Sequence, residues 1–260
     1  MQILVTVKQV GVLDDEFEID GGIDERYVTR ELNEWDEYAV ETAVQIQEAS
    51  DEDSDVEVVT VTIGPEATEE TIRQALAKGA DRAIRVWDDR LAEAGLLDPA
   101  TKARVLAAVA AEEEPDLVLT GVQSADDGFG ATGVALAERL DFAWAAVVND
   151  LELDREAGVA SVHRELEGGI EELTEVDLPA VLTIQTGINE PRYASLRGIR
   201  NAQSKELAVR SLEDLNLPPA ALDSSLTQTG LAKPESGGET TMLEGTDELA
   251  TLLREEGVGQ

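Results

Sequence analysis

Cysteine is absent from the 260-residue chain. That removes disulfides, thiolate metal sites, iron–sulfur ligation and thiol nucleophiles together. Histidine occurs once, as His163, which argues against a His-rich zinc site and against a Ser-His-Asp triad. Any chemistry is therefore expected to belong to a bound cofactor or a partner. Aromatic residues make up 3%, so the core must be built from Ala, Val, Leu and Ile, which the 42% hydrophobic content can supply. Positive charge is also scarce: 20 Lys plus Arg stand against 56 Asp plus Glu, a net charge of −36. Lysine occurs only as Lys8, Lys78, Lys102, Lys205 and Lys233. Such a chain is not expected to displace counterions from nucleic-acid phosphates or to dock on anionic lipid. It has no run of about 18 apolar residues, so no transmembrane helix is expected. Met1-Gln2 leads straight into a strand-like Ile3–Val7 run with no basic segment before a long apolar stretch. No signal peptide, and hence a cytoplasmic location, is expected.

The acidity is spread through the chain, and hydrophobic periodicity persists beneath it, so it does not signal disorder. A dispersed acidic surface on a folded core suggests adaptation to high salt, where screening relieves self-repulsion. A halophilic source is expected.

Along the chain, residues 2–8 read as a buried strand. Residues 9–32 read as loop, with extended pieces at Phe17–Ile19 and Tyr27–Thr29 around Gly21-Gly22. A helix is predicted from Glu34 to Ala49, a strand over Val56–Ile63, and a helix from Thr68 to Ala77 ended by Gly79. Ala83–Val86 follows as a strand, Thr101–Ala111 as a helix, Asp116–Thr120 as a strand, and Ala131–Leu140 as a helix. Strands alternating with helices at this spacing imply α/β class, with a parallel sheet covered on both faces. Four further strands, Val147–Leu153, Val159–Leu166, Glu171–Val176 and Ala180–Thr186, suggest an antiparallel extension over about residues 144–186. From about residue 210 the chain turns polar and Pro/Gly-punctuated ("LNLPPAALDSS", "KPESGGETT"), with a short helix near Thr246–Glu255. Such a tail is expected either to be a disordered end or to lie as an arm on another subunit.

The most informative loop is Gly121-Val-Gln-Ser-Ala-Asp-Asp-Gly-Phe-Gly-Ala-Thr-Gly133, between a buried strand and a helix. Ligands of open α/β sheets bind beyond the carboxyl ends of strands, and helix N-terminal amides attract phosphate. Gly128, Gly130 and Gly133 permit close backbone approach. Thr132 offers a hydroxyl, and Gln123 and Asp126 are placed to read a base or ribose. The stretch is neither a Walker loop nor G-x-G-x-x-G, so a nucleotide site and an ordinary flexible loop both stay open. Thr6, Asn33 and Ile63 fall on the same expected edge; alone, Asn33 reads as a helix N-cap. Trp35 and Tyr38 read as core. A second stretch, Asn189–Arg200, collects Arg192, Arg197 and Arg200 with the interleaved apolar Tyr193, Leu196 and Ile199. It suits partner docking, or is a surface loop whose arginines pair with carboxylates. His163-Arg164-Glu165 lies in a predicted strand and reads as cross-strand ion pairing.

Several ordered blocks together resemble the β subunit of electron transfer flavoproteins over nearly the whole chain. They are "ILVTVKQV", "LNEWDEYAVETA", "IGPEATEETIRQALAKGADRAIRVWD", "DLVLTGVQSADDGFGATG", "VHRELEGGIEE" and "LPAVLTIQTGINEPRYASLRGIRNAQSKE", with "TTMLEGT" near the end. The form most similar is the housekeeping one that serves bacterial methylamine dehydrogenases. The resemblance implies a doubly wound, mostly parallel sheet of adenine-nucleotide α-hydrolase-like type. Residues 1–210 would form the nucleotide-binding domain and 211–260 an arm packed on an α subunit. That subunit would hold most of the FAD, and this chain a structural AMP. By motif the AMP pocket would comprise Thr6, Asn33, Glu34, Trp35, Asp36, Ile63, Gly121, Val122, Gln123, Ser124, Asp126, Asp127, Gly128, Phe129, Gly130, Ala131 and Thr132. Leu13, Trp35, Arg164 and Glu165 would approach the flavin. Arg192, Tyr193, Leu196, Arg197 and Ile199 would dock partner dehydrogenases, with Leu196 inserting into a pocket. The implied role is electron carriage from acyl-CoA dehydrogenases and similar flavoproteins to a membrane quinone oxidoreductase. Related bifurcating members hold a second FAD, reduced by NADH, in place of AMP; Ala131-Thr132 here is more similar to the AMP form. Two departures stand out. Leu13 replaces a frequent aromatic, and Gly128-Phe129-Gly130 replaces a more acidic or amide-rich run. A stand-alone nucleotide-binding stress protein of similar architecture would lack both the extension and the docking loop.

Overall fold

The computed structural model describes residues 1–50, 55–233, 242–243 and 245–255. In chain order the first half holds β1 (Gln2–Thr6), β2 (Gln9–Leu13), β3 (Val28–Leu32), α1 (Glu34–Glu48), β4 (Glu57–Ile63), α2 (Glu69–Lys78) and β5 (Arg82–Val86). Then come α3 (Asp89–Glu93), α4 (Pro99–Glu113), β6 (Leu117–Gly121), α5 (Thr132–Leu140), β7 (Ala143–Asp154), β8 (Val159–Leu166) and β9 (Ile170–Asp177). The chain continues with β10 (Ala180–Ile184), α6 (Leu196–Ala202), β11 (Leu207–Arg210) and α7 (Thr246–Glu255).

Nine strands form one sheet in the order β11-β5-β4-β1-β6-β10-β7-β8-β9. All are parallel through β7, and β8 and β9 continue it as antiparallel neighbours. The middle strands are mainly apolar because helices cover both faces, with Thr60, Thr62, Thr120 and Thr183 as buried polar exceptions. Strand alternation divides their side chains between two cores. Ile3, Val5, Val58, Leu117, Leu119, Leu182 and Ile184 join the α1 and α2 side. Leu4, Val59, Val61, Val118 and Val181 join the α4 and α5 side. Each fully buried Leu, Ile or Val contributes about 1.5–3 kcal/mol relative to exposure. Small Ala side chains on α1 and α4 let the helices lie close to the sheet, which compensates for the shortage of aromatics. The chain runs from β1 to β4 and β5 on one side, then crosses to β6 on the other. The carboxyl edge between β1 and β6 is thus a switch point, where such sheets open a crevice.

The expected α/β class, parallel sheet and antiparallel continuation are all present, with corrections. Ala180–Ile184 does not belong to the antiparallel extension. It pairs parallel with both β6 and β7 and is buried at all five positions. Only β7, β8 and β9 make the extension, and β7 serves both regimes. Its first residues pair parallel with β10, its last ones antiparallel with β8. The change of register centres on Val147, whose φ is +63°. Its amide donates to Thr183 Oγ1 at 2.9 Å. Residues 9–32 are not mainly loop, because β2 and β3 form a hairpin. Its intervening loop carries an Ile19–Ile23 bridge around the expected glycine turn. The edge strand β11 and the short α3 were not anticipated.

The tail begins differently from the expectation. Residues 211–225 fold back onto this same chain: Leu212, Leu215 and Ala221 are buried. Asp98 Oδ2, at the start of α4, accepts hydrogen bonds from the Ser225 amide (2.7 Å) and hydroxyl (2.6 Å). Arg104 Nε donates to the Ala221 carbonyl at 2.8 Å. The expected terminal helix is present as α7, which buries none of its residues. Parts of the expected arm, including most of "KPESGGETT" and parts of "TTMLEGT", lie outside the described residues.

Candidate functional site

A cleft opens at the carboxyl edge between β1 and β6, with about 740 Å³ of empty space that is partly open to solvent. Its lining comes from the ends of β1, β4 and β6, the start of α1, one face of α4, and the loop into α5. Val61, Ile63, Leu97 and Leu106 form an apolar wall, and polar groups converge opposite it. Apolar walls with a few placed polar groups are what a small-molecule site requires.

Asp36 holds the floor together. It is buried on the first turn of α1 and accepts the Lys8 amide at 2.8 Å and the Gly121 amide at 3.2 Å. One carboxyl thus ties the exits of β1 and β6 to α1. Burial pushes its pKa up to about 7, although both amides, Asn33 and the Lys8 charge pull the other way. Gly121 is required here. A Cβ at that position would meet Asp36 Oδ1 at 2.5 Å and Trp35 Cβ at 2.6 Å.

Asn33 precedes α1 but does not cap it with its side chain. Its amide nitrogen donates to the Gln123 carbonyl at 2.9 Å, and its amide oxygen accepts the Ala125 amide at 3.2 Å. The simple N-cap reading is therefore replaced by a tether on the Gly121–Gly133 loop. Gly128 and Gly130 both adopt φ of +60°, a conformation glycine takes without strain. At Gly133 a Cβ would strike Thr120 Oγ1 at 2.5 Å, so the start of α5 sits hard against β6. No side chain caps α5. Its first turn, with Gly130, Ala131 and Thr132, lines the cleft, which leaves helix N-terminal amides for a ligand.

Lysines gather at the mouth. Lys8 Nζ lies 2.6 Å from Asp126 Oδ1, 2.9 Å from Asp127 Oδ2 and 3.0 Å from Ser124 Oγ. Lys102 Nζ, reaching from α4, bonds the same Asp127 oxygen. It also sits 5.6 Å from the Phe129 ring centroid. Burial raises the Asp127 carboxyl, but hydrogen bonds from Lys102, Lys8 and Ser124 more than offset this. They hold it well below the usual carboxylate range.

Of the expected nucleotide set, Thr6, Asn33, Asp36, Ile63, Gly121, Val122, Gln123, Ser124, Asp127, Gly130, Ala131 and Thr132 line this one cleft. Glu34, Trp35, Asp126, Gly128 and Phe129 do not. Lys8, Lys102, Leu97 and Leu106 line it and were missed. The scarcity of lysine was the signal that could have marked the first two. The donor chemistry suits a nucleoside phosphate: two ammonium groups, uncapped helix amides and an apolar wall for a base.

Leu13, Trp35, Arg164 and Glu165 lie outside the cleft. Leu13 is partly exposed at the end of β2. Trp35 Nε1 donates to Gln185 Oε1 at 3.0 Å. Arg164 pairs across the hairpin with Glu172 at 2.6 Å, and His163 approaches Glu171 at 3.4 Å. These are the cross-strand contacts read from the sequence. The Glu165 amide donates to Asn149 Oδ1 at 3.1 Å. The remaining candidates surround α6. Tyr193 is 98% and Leu196 79% exposed, and Arg197 and Ile199 also face solvent. Arg192 turns inward to Glu41 (2.8 Å) and Glu48 (2.6 Å).

The fold defines a doubly wound α/β protein with its candidate cleft at the switch point of its sheet. Residues 20–215 match the electron transfer flavoprotein domain, and the chain belongs to that family. It is 46% identical over 252 residues to the "Electron transfer flavoprotein subunit beta" of Methylophilus methylotrophus, covering 95% of this chain and 93% of that protein. Identity is 36% over 259 residues to the mitochondrial subunit beta of Arabidopsis thaliana, covering 98% of both. To subunit beta of Homo sapiens it is 39% over 230 residues, covering 88% of this chain and 86% of the human one. Among the described residues no helix is long and apolar enough to cross a membrane.

Proposed function

We propose that this chain is the β subunit of a heterodimeric electron transfer flavoprotein, with an α subunit that holds most of the FAD. The observation that carries this reading is the 46% identity with the Methylophilus subunit beta over 95% of this chain. The heterodimer takes electrons from acyl-CoA dehydrogenases and similar flavoprotein dehydrogenases and delivers them to a membrane quinone oxidoreductase. FAD supplies the redox chemistry when bound. This chain supplies no acid, base or nucleophile. Leu13, Trp35, Arg164 and Glu165 face the flavin at the subunit junction. Tyr193, Leu196, Arg197 and Ile199 are the docking surface, and Arg192 anchors it through Glu41 and Glu48. Residues 226–233 and α7 belong to the arm that lies on the α subunit.

The cleft holds AMP in a structural role. Its apolar wall faces the base, and the α5 amides face the phosphate. The protein works in the cytoplasm of a halophile, which its net charge of −36 supports. The experiment is to denature the complex co-purified with its α subunit and quantify the released nucleotides by chromatography. One FAD and one AMP per heterodimer is expected. Two FAD and no AMP would replace this reading with a bifurcating one, in which the cleft carries a second flavin.

A further inference from the structure

Lysine is rare in this chain, yet two of its five lysines converge on one carboxylate at the mouth of the cleft. Asp127 receives Lys8, Lys102 and the Ser124 hydroxyl (2.8 Å), and the Phe129 amide approaches it at 3.4 Å. Two ammonium groups, a hydroxyl and a backbone amide are the donors that a phosphate monoester recruits. The group they surround here is a side-chain anion belonging to the chain itself. Lys8 has a second carboxylate in Asp126. For Lys102, Asp127 is the carboxylate partner among the described residues.

We propose that Lys102, together with Lys8, is the counter-charge for the phosphate of a nucleoside monophosphate in this cleft, and that Asp127 occupies the two ammonium groups until the phosphate displaces it. The proposal rests on the nucleotide reading of the cleft and adds to it two recognition residues and an internal competitor. A phosphate monoester carries about −1.5 to −2 charge and three acceptor oxygens near neutral pH. Its larger charge and third oxygen favour it over the Asp127 carboxylate as the group shared by the two ammonium groups. A ligand without phosphate has nothing to set against the Asp127 pairing and gains nothing from the lysines.

The test uses the full chain freed of bound nucleotide by dialysis and titrated calorimetrically with AMP and, separately, with adenosine. Lys102→Met should weaken AMP binding about tenfold and leave adenosine unchanged. Lys102→Arg should stay within about threefold of the parent, which controls for a folding defect in the Met variant. Asp127→Asn removes the competitor, so it should tighten AMP severalfold without changing adenosine. If Asp127→Asn weakens both ligands alike, Asp127 is a latch on the loop and the proposal falls. Equal AMP affinity in Lys102→Met and the parent also overturns it, while leaving the nucleotide reading intact. Failure of the parent chain to bind either ligand would remove both readings at once.

Discussion

At the residue scale, burial governs Asp36. Its folded pKa of about 7 lies above the ordinary 3.8 because desolvation outweighs the two amides that bond it. The folded protein thus holds this proton more tightly than the unfolded chain does. Stability contributed by Asp36 is present below the unfolded value and is lost as pH rises through about 7. Asp36→Asn cannot titrate, so the stability gap between parent and variant should be larger at pH 5 than at pH 8. Urea midpoints at the two pH values check this, and an equal gap would show that the carboxyl is ionised throughout. Gly121→Ala acts on the same floor by sterics. Its Cβ would overlap Asp36 Oδ1 and Trp35 Cβ, and overpacking of this kind costs about 1–3 kcal/mol. Thermal unfolding should show the loss. Asn33 carries the lesson of this scale. Its position before a helix is legible in the sequence, but its bonds run to residues about 90 positions away, and local spacing does not report them.

At the element scale, α6 presents Leu196 and Ile199 on a braced platform. Gly198 leaves no room for a Cβ, which would fall 2.4 Å from the Ala77 carbonyl oxygen, so α6 rests directly on α2. Arg73 donates to the Ala202 carbonyl at 2.6 Å, and Lys78 to the Arg192 carbonyl at 2.8 Å. Arg192→Met would strip Glu41, which is 4% exposed, of its cation. The lost charge-assisted bonds should cost roughly 1–3 kcal/mol. Limited proteolysis of the 189–195 segment should speed up as well. Leu196→Ala is expected to do the opposite: stability and FAD content unchanged, but a higher KM for the complex in electron transfer from a dehydrogenase. Loss of flavin with transfer intact would remove Leu196 from the proposed docking surface. The misplacement of β10 belongs to this scale too. Its run of five buried residues already looks like a central parallel strand. Its sequence neighbours β8 and β9 drew it into the antiparallel group, whereas in space its neighbours are β6 and β7.

At the scale of the whole molecule, charge is the leading variable. A net −36 repels itself over a Debye length of about 10 Å at 0.1 M salt but only about 3 Å at 1 M. Unfolding midpoints should therefore climb steadily with KCl into the molar range. Full stability in dilute buffer would falsify the halophilic reading. Ion pairs such as Arg82 with Glu57 and Glu113, at 2.8 and 2.6 Å, neutralise a small part of this excess. Partly exposed pairs of this kind lose strength in salt, so the gain must come from relief of general repulsion.

The strand and helix alternation, the apolar central strands and the glycine loop after β6 were legible in the amino-acid sequence. Each rests on periodicity or backbone freedom within a few residues. So was the family, because its motifs are local blocks in a constant order. Tertiary structure alone decided that β10 sits between β6 and β7, and that residues 211–225 pack on α4. It also brought Lys8 and Lys102 to Asp127 from 119 and 25 residues away. These outcomes depend on which distant segments meet once both faces of the sheet are covered. No local pattern encodes that choice, since it is made by the burial of the whole core.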